Sequence, residues 1–289
     1  MSAIKVENLK KHFGEVKAVD GISFEVEKGE IFGFLGPNGA GKTTTIRCMM
    51  DFLRPTEGTI TILGKDAQKE GVALKEELGY LSGYVQLIDK WTGQEHIDFF
   101  RSLDGNKNVA HELAERLNYD TQMKSKKLSS GNRQKLGIIL ALMGEPKVLI
   151  FDEPTNALDP LLQNTVYELL DEASKKGTTI FMSSHNLAEV EKVCSRVGII
   201  RDGKMEAIES IASLKKKRLY TVTVHFEQEV KKSVLEEKGI KVIDELKKGF
   251  VLNAKGDINP LLAALHELNV ADIEITHGSL QDIFLEHYQ

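Results

Sequence analysis

The stretch GPNGAGKT (36–43) limits what this chain can fold into more than any other feature. It follows EIFGFLG (30–36), which reads as a buried apolar strand, and KTTTIRCMMDFL (42–53) continues from it as a helix. A strand that runs through a glycine-rich loop into a helix makes a phosphate cradle. Its glycines let backbone amides wrap a phosphate, the Lys42 ammonium reaches the outer phosphates, and the Thr43 hydroxyl is offered to Mg²⁺. The candidate binding set is Gly36, Pro37, Asn38, Gly39, Ala40, Gly41, Lys42, Thr43 and Thr44.

Short apolar strands alternate with helical segments through most of the chain, as expected of a parallel sheet with crossover helices. KVLIFDEP (147–154) and GTTIFMSSH (177–185) are strongly apolar strands that end in polar residues, where α/β sheets place their chemistry. An Asp at such a tip can hold Mg²⁺ through water, and a following carboxylate can polarise an attacking water. Asp152 is therefore assigned to the metal and Glu153 to the general base. RPTEG (54–58) and DGK (202–204) mark hairpin turns.

Other function classes are narrowed by composition. A net charge of −5 over 289 residues gives no reason to expect nucleic acid as a partner. No apolar run approaches the roughly 18 residues of a membrane span. The N-terminal MSAIKVENLK lacks the apolar stretch of a signal peptide. Cys48 and Cys194 lie far apart without metal spacing, among apolar helix residues, and are read as reduced, buried and inert. The expectation is a soluble intracellular protein.

After Leu214 the character changes. The basic run KKKR (215–218) reads as a solvated linker, and YTVTVHF then alternates strictly, with Tyr220, Val222, Val224 and Phe226 on one face. A helix, two strands meeting at a KKG turn, the helix INPLLAALHELN, the strand ADIEIT and a last helix, SLQDIFLEHY, complete the chain. The order βαββαβ suggests a small ferredoxin-like α+β module. The expected domains are 1–214 and 215–289.

Five segments, GPNGAGKT, LSSGN (128–132), VLIFDEP, NALDP and SSH, occur in the order seen in ATP-binding subunits of ABC transporters. The resemblance runs from about Ile4 to Ser213. The ending HGSLQDIFLEHY resembles the C-terminal extension of exporter-type subunits that pair with a separate permease. It implies an α/β P-loop NTPase domain with a helical signature subdomain, with ATP and Mg²⁺ as cofactors. The partners implied are an integral membrane permease and a second ATPase subunit, and the location implied is the cytoplasmic face of the cell membrane.

On matching residues, the resemblance gives Phe13 the place of an aromatic that stacks on adenine, with Val19 lining that pocket. His185 would contact the γ-phosphate and order the attacking water, and Asp159 would cross to support the other subunit's site. LSSGN matches the signature segment, through which each chain of a head-to-tail dimer lends Ser129 and Gly131 to the phosphate bound by its partner. Ser130 and Asn132 depart from the commoner LSGGQ but keep a small side chain and an amide, so function is expected to survive. Where the family presents a Gln that touches Mg²⁺, this chain has Gly83, and Gln86 is the candidate substitute. Leu87, Ile88, Trp91, Phe99 and Phe100 read mainly as subdomain core, in part as the groove for a permease helix. A soluble ABC ATPase acting in translation or DNA repair is the alternative.

Overall fold

The computed structural model describes residues 2–104, 109–216, 219–237 and 239–277. The chain divides into two compact units, Met1–Ile208 and Glu209–Gln289. That division falls ahead of Leu214, the boundary expected from the change in sequence character.

The first unit opens with a long antiparallel hairpin, β1 (Ser2–Phe13) and β2 (Val16–Glu27). β3 (Ile31–Leu35) leads through residues 36–41 into α1 (Lys42–Met49). Next come β4 (Glu57–Ile62), β5 (Lys65–Asp66), α2 (Gly71–Lys75) and β6 (Leu78–Leu81). Helices α3 (Gly93–Asp104), α4 (Ala110–Arg116) and α5 (Ser130–Leu142) form the helical part. β7 (Val148–Asp152), α6 (Pro160–Lys175), β8 (Thr179–Ser184), α7 (Leu187–Val193), β9 (Arg196–Arg201) and β10 (Lys204–Ser210) follow.

Two sheets result. One is ordered β2-β1-β4-β5 and the other β10-β9-β3-β8-β7-β6. In the second, β9, β3, β8, β7 and β6 pair in parallel. Such strands are covered on both faces and are continuously apolar, and β3 and β7 are buried at every position. One core joins the two sheets, with Ile4, Val6, Ile22 and Ile60 from the first, Phe32, Phe34 and Ile150 from the second, and Ile46 and Met49 from α1. At its centre the buried Phe181 ring lies 5.6, 6.0 and 5.3 Å from those of Phe24, Phe32 and Phe34. Phe181→Ala should therefore cost about 3–5 kcal/mol of stability, measured by urea unfolding. A loss below about 1 kcal/mol would remove this ring from the centre of the core.

The antiparallel sheet departs from the single parallel sheet that the strand–helix alternation predicts. RPTEG is also not a hairpin: it is a loop into β4, which pairs with β1. The hairpin lies one strand later, between β4 and β5, where Leu63 and Gly64 have φ of 51° and 81°. Positive φ at both central residues matches the twist of the flanking strands.

The second unit begins with α8 (Ile211–Lys216) and β11 (Leu219–Phe226). α9 (Lys232–Glu237), β12 (Lys241–Leu246), β13 (Gly249–Lys255), α10 (Asn259–His266) and β14 (Val270–His277) follow. Their sheet is ordered β12-β13-β11-β14 and antiparallel throughout. Val222, Val224 and Phe226 from one face of β11 pack with Leu235, Leu252, Leu261 and Leu265. The expected last helix, SLQDIFLEHY, lies outside the described residues, as do positions 217–218 of the basic run.

Both cysteines are free and buried. Burial pushes the Cys48 thiol up to about 11 and raises that of Cys194 as well, so neither carries a reactive thiolate at neutral pH.

Candidate active site

The order β3-β8-β7 puts three strand ends side by side, and each delivers a different part of the site. Leu35 of β3 is level with Ser184 of β8, and Ser183 is level with Asp152 of β7. The loop after β3, the histidine after β8 and the acid pair at the end of β7 therefore share one edge of the sheet.

The loop closes on itself. Lys42 Nζ donates to the carbonyls of Gly36 and Pro37, at 2.6 and 3.2 Å. Gly41 caps α1 with φ 106°, and a Cβ there would lie 2.4 Å from the Ala18 carbonyl, so only glycine is accommodated. The first turn of α1 carries no acid, which leaves its amides and positive dipole end open to an anion. From outside, the Gly203 amide donates to the Ala40 carbonyl at 3.1 Å. Gly203 belongs to DGK, the turn between β9 and β10, so that turn braces the loop as well as reversing the chain.

Asp152 is almost fully buried, and a buried carboxylate needs partners. Thr43 Oγ1 donates to one of its oxygens at 2.8 Å and Ser183 Oγ to the other at 2.6 Å. Glu153 follows in the left-handed backbone region, with φ 52°. One of its carboxylate oxygens lies 3.3 Å from Lys42 Nζ and the other 2.8 Å from His185 Nδ1. Lys42, Thr43, Asp152, Glu153 and His185 thus form one connected cluster. Beside it, burial first and the Asp152 charge second hold the Tyr80 phenol above its ordinary value.

A hydroxyl and a carboxylate 2.8 Å apart are hard oxygen donors suited to Mg²⁺, which takes few protein ligands and completes its shell with phosphate and water. Gly83 is the residue over this pair: a Cβ there would be 3.3 Å from Asp152 Oδ2. Gln86 is exposed in the loop beyond and makes no hydrogen bond to Thr43 or Asp152 among the described residues. The cluster therefore does not include it.

Phe13 ends β1 with its ring 48% exposed and the Lys11 ammonium 4.9 Å from the ring centre. Its strand partner is Val16 of β2, three residues before Val19. Val19 is fully buried, and it packs beneath Gly41, where a Cβ would be 3.4 Å from its side chain. It supports the loop from the core.

LSSGN begins α5. Ser129 is exposed and caps the helix, its hydroxyl accepting from the Asn132 amide at 3.3 Å. Gly131 lies against the Ala157 carbonyl, which a Cβ would approach to 2.8 Å. Asp159 is likewise exposed and caps α6, accepting from the Leu161 and Leu162 amides, both at 3.0 Å.

Sequence reasoning missed three buried polar residues. Ser183, besides holding Asp152, accepts from the Glu153 amide at 3.1 Å. Glu189 accepts from the Thr155 and Ser184 hydroxyls, both at 2.8 Å, which ties the chain after β7 to the chain before His185. Gln134 donates to the carbonyls of Glu153 and Pro154. Ser183 alone had a signal, as part of SSH.

A family model described as ABC transporter matches residues 19–156. The chain is 33% identical to the bacitracin transport ATP-binding protein BcrA of Bacillus licheniformis, over 98% of this chain and 96% of that protein. It is 37% identical to the linearmycin resistance ATP-binding protein LnrL of Bacillus subtilis (strain 168), over 71% of this chain and 68% of that protein. Among solved structures, an ATP-binding subunit of an ABC transporter matches with a TM-score of 0.69 and 26% identity, over 74% of this chain and 92% of the other. A dimeric ATP-binding cassette in a post-hydrolysis state, bound to ADP and Pi, matches in fold with a TM-score of 0.66 at 23% identity, over 72% of this chain and 98% of the other.

Proposed function

The chain belongs to the ABC transporter family and is an ATP-binding, ATP-hydrolysing subunit, and from that premise we propose that closure of a Mg-ATP-bound dimer drives export through a separate membrane permease. The observation that carries the reading is the join of Lys42, Thr43, Asp152, Glu153 and His185 across three strand ends, while the exposed Ser129 makes no hydrogen bond to residues 36–44 among the described residues.

The amides of residues 36–44 and the Lys42 ammonium hold the phosphates, and Phe13 stacks on adenine above Val19. Mg²⁺ would be held by Thr43 and Asp152, where it would neutralise developing phosphate charge. Gln86 joins them only if residues 83–88 fold back over Gly83. Glu153 accepts the proton of the attacking water, and His185 holds that water and the terminal phosphate in place. Ser129, Gly131 and Asp159 are presented to the other subunit's nucleotide. We assign the ATPase activity to residues 1–214 and an accessory role to 215–289.

No helix among the described residues is long and apolar enough to cross a membrane. From the transporter role we place the chain on the cytoplasmic face, held there by its permease. Ile88, Phe99 and Phe100, 49%, 46% and 39% exposed beside Trp91, supply an apolar surface for that contact. The relatives named for bacitracin transport and linearmycin resistance favour a transporter over an ATPase of translation or DNA repair. Affinity purification of the tagged chain from detergent-solubilised membranes should recover a multi-span membrane protein in stoichiometric amount. Recovery of ribosomal or repair proteins with no membrane protein would overturn the transporter reading.

A further inference from the structure

The peptide that carries Glu153 is held at both ends by side chains from other elements. Its amide donates to Ser183 Oγ at 3.1 Å. Its carbonyl accepts from Gln134 Nε2 at 3.2 Å, and the same nitrogen donates to the Pro154 carbonyl at 2.9 Å. Only the NH₂ end of a side-chain amide can serve two carbonyls at once, so the orientation of Gln134 is fixed by its partners. The side chain is buried, and losing it would leave the Pro154 carbonyl without a donor and the Glu153 carbonyl with only the Asn156 amide, at 3.2 Å.

Gln134 lies one turn beyond Gly131 on α5, and residues three apart share a helix face. That face makes two contacts with the segment after β7, Gly131 against the Ala157 carbonyl and Gln134 against Glu153 and Pro154. The segment is unfavourable in itself, because Glu153 and Ala157 have φ of 52° and 62°. Backbone of this kind persists only where its surroundings over-determine it. Without Gln134 the Glu153 peptide keeps only the Asn156 amide on its carbonyl and Ser183 Oγ on its amide, which loosens the hold on the carboxylate between Lys42 and His185.

We propose that Gln134 is a positioning residue for the general base, holding the Glu153 carboxylate in line with the attacking water from the face of the signature helix. This rests on the reading of Glu153 as the base. Gln134 touches no nucleotide; it acts through the peptide it grips.

Purified full-length chain is assayed for ATP turnover as wild type, Gln134→Leu and Gln134→Glu, with Glu153→Gln alongside. Gln134→Leu should lower kcat about ten- to a hundredfold, the scale of a misplacement near 1 Å, while KM for ATP stays within about twofold. In Gln134→Glu the ionised side chain donates nothing, whereas its protonated form donates one hydrogen bond. Its kcat relative to wild type should therefore climb as pH falls from about 8 to about 6, and the ratio for Gln134→Leu should stay flat. A merely structural role would lower kcat only as far as it lowers the folded fraction, so the melting temperature of each variant is read at each pH and kcat is taken per folded molecule.

Wild-type kcat in a folded Gln134→Leu protein, or a pH-independent ratio for Gln134→Glu, overturns the proposal. If Gln134→Leu does not fold, the pH ratio of Gln134→Glu decides alone. Should Glu153→Gln retain turnover, the reading of the base fails, whatever the Gln134 variants do. With Glu153→Gln inactive and the Gln134 variants normal, only the positioning role fails.

Discussion

Glu153→Gln should leave ATP affinity nearly unchanged and lower turnover by about 10²–10⁴-fold, the range spanned by loss of a general base. The substitution keeps the shape of the side chain and its reach towards Lys42 and His185, 3.3 and 2.8 Å away. It removes the proton-accepting charge. ATP then binds, the two subunits close, and the closed dimer persists because nothing resets it. Size-exclusion chromatography in ATP should show that dimer for the variant and mostly monomer for the wild type. Undiminished hydrolysis by the purified variant would sink the assignment.

The second result expected to be large concerns the division of each site between two chains. Lys42→Ala removes the ammonium that closes the phosphate loop, and Ser129→Arg puts a bulky cation at the cap of α5. Either homodimer should fail to trap ATP, because both of its sites carry the lesion. In a mixture, one site of the heterodimer takes its loop from the Ser129→Arg chain and its cap from the Lys42→Ala chain. That site is intact. Trapping should return to about half of the undamaged level within the heterodimers, read in a Glu153→Gln background where closed dimers last. No recovery, with heterodimers demonstrated by differential tags, would mean that each LSSGN serves its own chain's nucleotide.

How far the sequence reveals this site depends on how local each part is. The phosphate loop is contiguous, so strand, glycines, Lys42 and Thr43 can be read together. Asp152, Glu153 and His185 can be read because apolar strands end at them. Ser183 and Gln134 become meaningful only once β8 is known to lie between β3 and β7 and α5 is known to pack against residues 153–157. Those are long-range pairings with no local trace. The N-terminal sheet was obscured by its own geometry. Ala3, Ile4, Val6 and Leu9 are the buried apolar residues of β1, and a register shift between Val6 and Leu9 breaks their period-two alternation. Gly83 illustrates a further limit. The absence of a Gln there is plain in the sequence, but whether Gln86 can replace it depends on the path of a loop, which residue order does not encode.

The left-handed backbone at Glu153 sets two selective pressures against each other. A side chain in this region is less favourable by about 1–2 kcal/mol, and glycine escapes that penalty while giving back about 0.5–1 kcal/mol in unfolded-chain freedom. Counted on the backbone alone, apart from the contacts with Lys42 and His185, glycine at this position would rank level with the native residue or above it. For hydrolysis glycine is useless. Drift towards greater robustness would thus erode the chemistry first at this position, and glutamate persists there because selection on turnover outweighs the gain in stability.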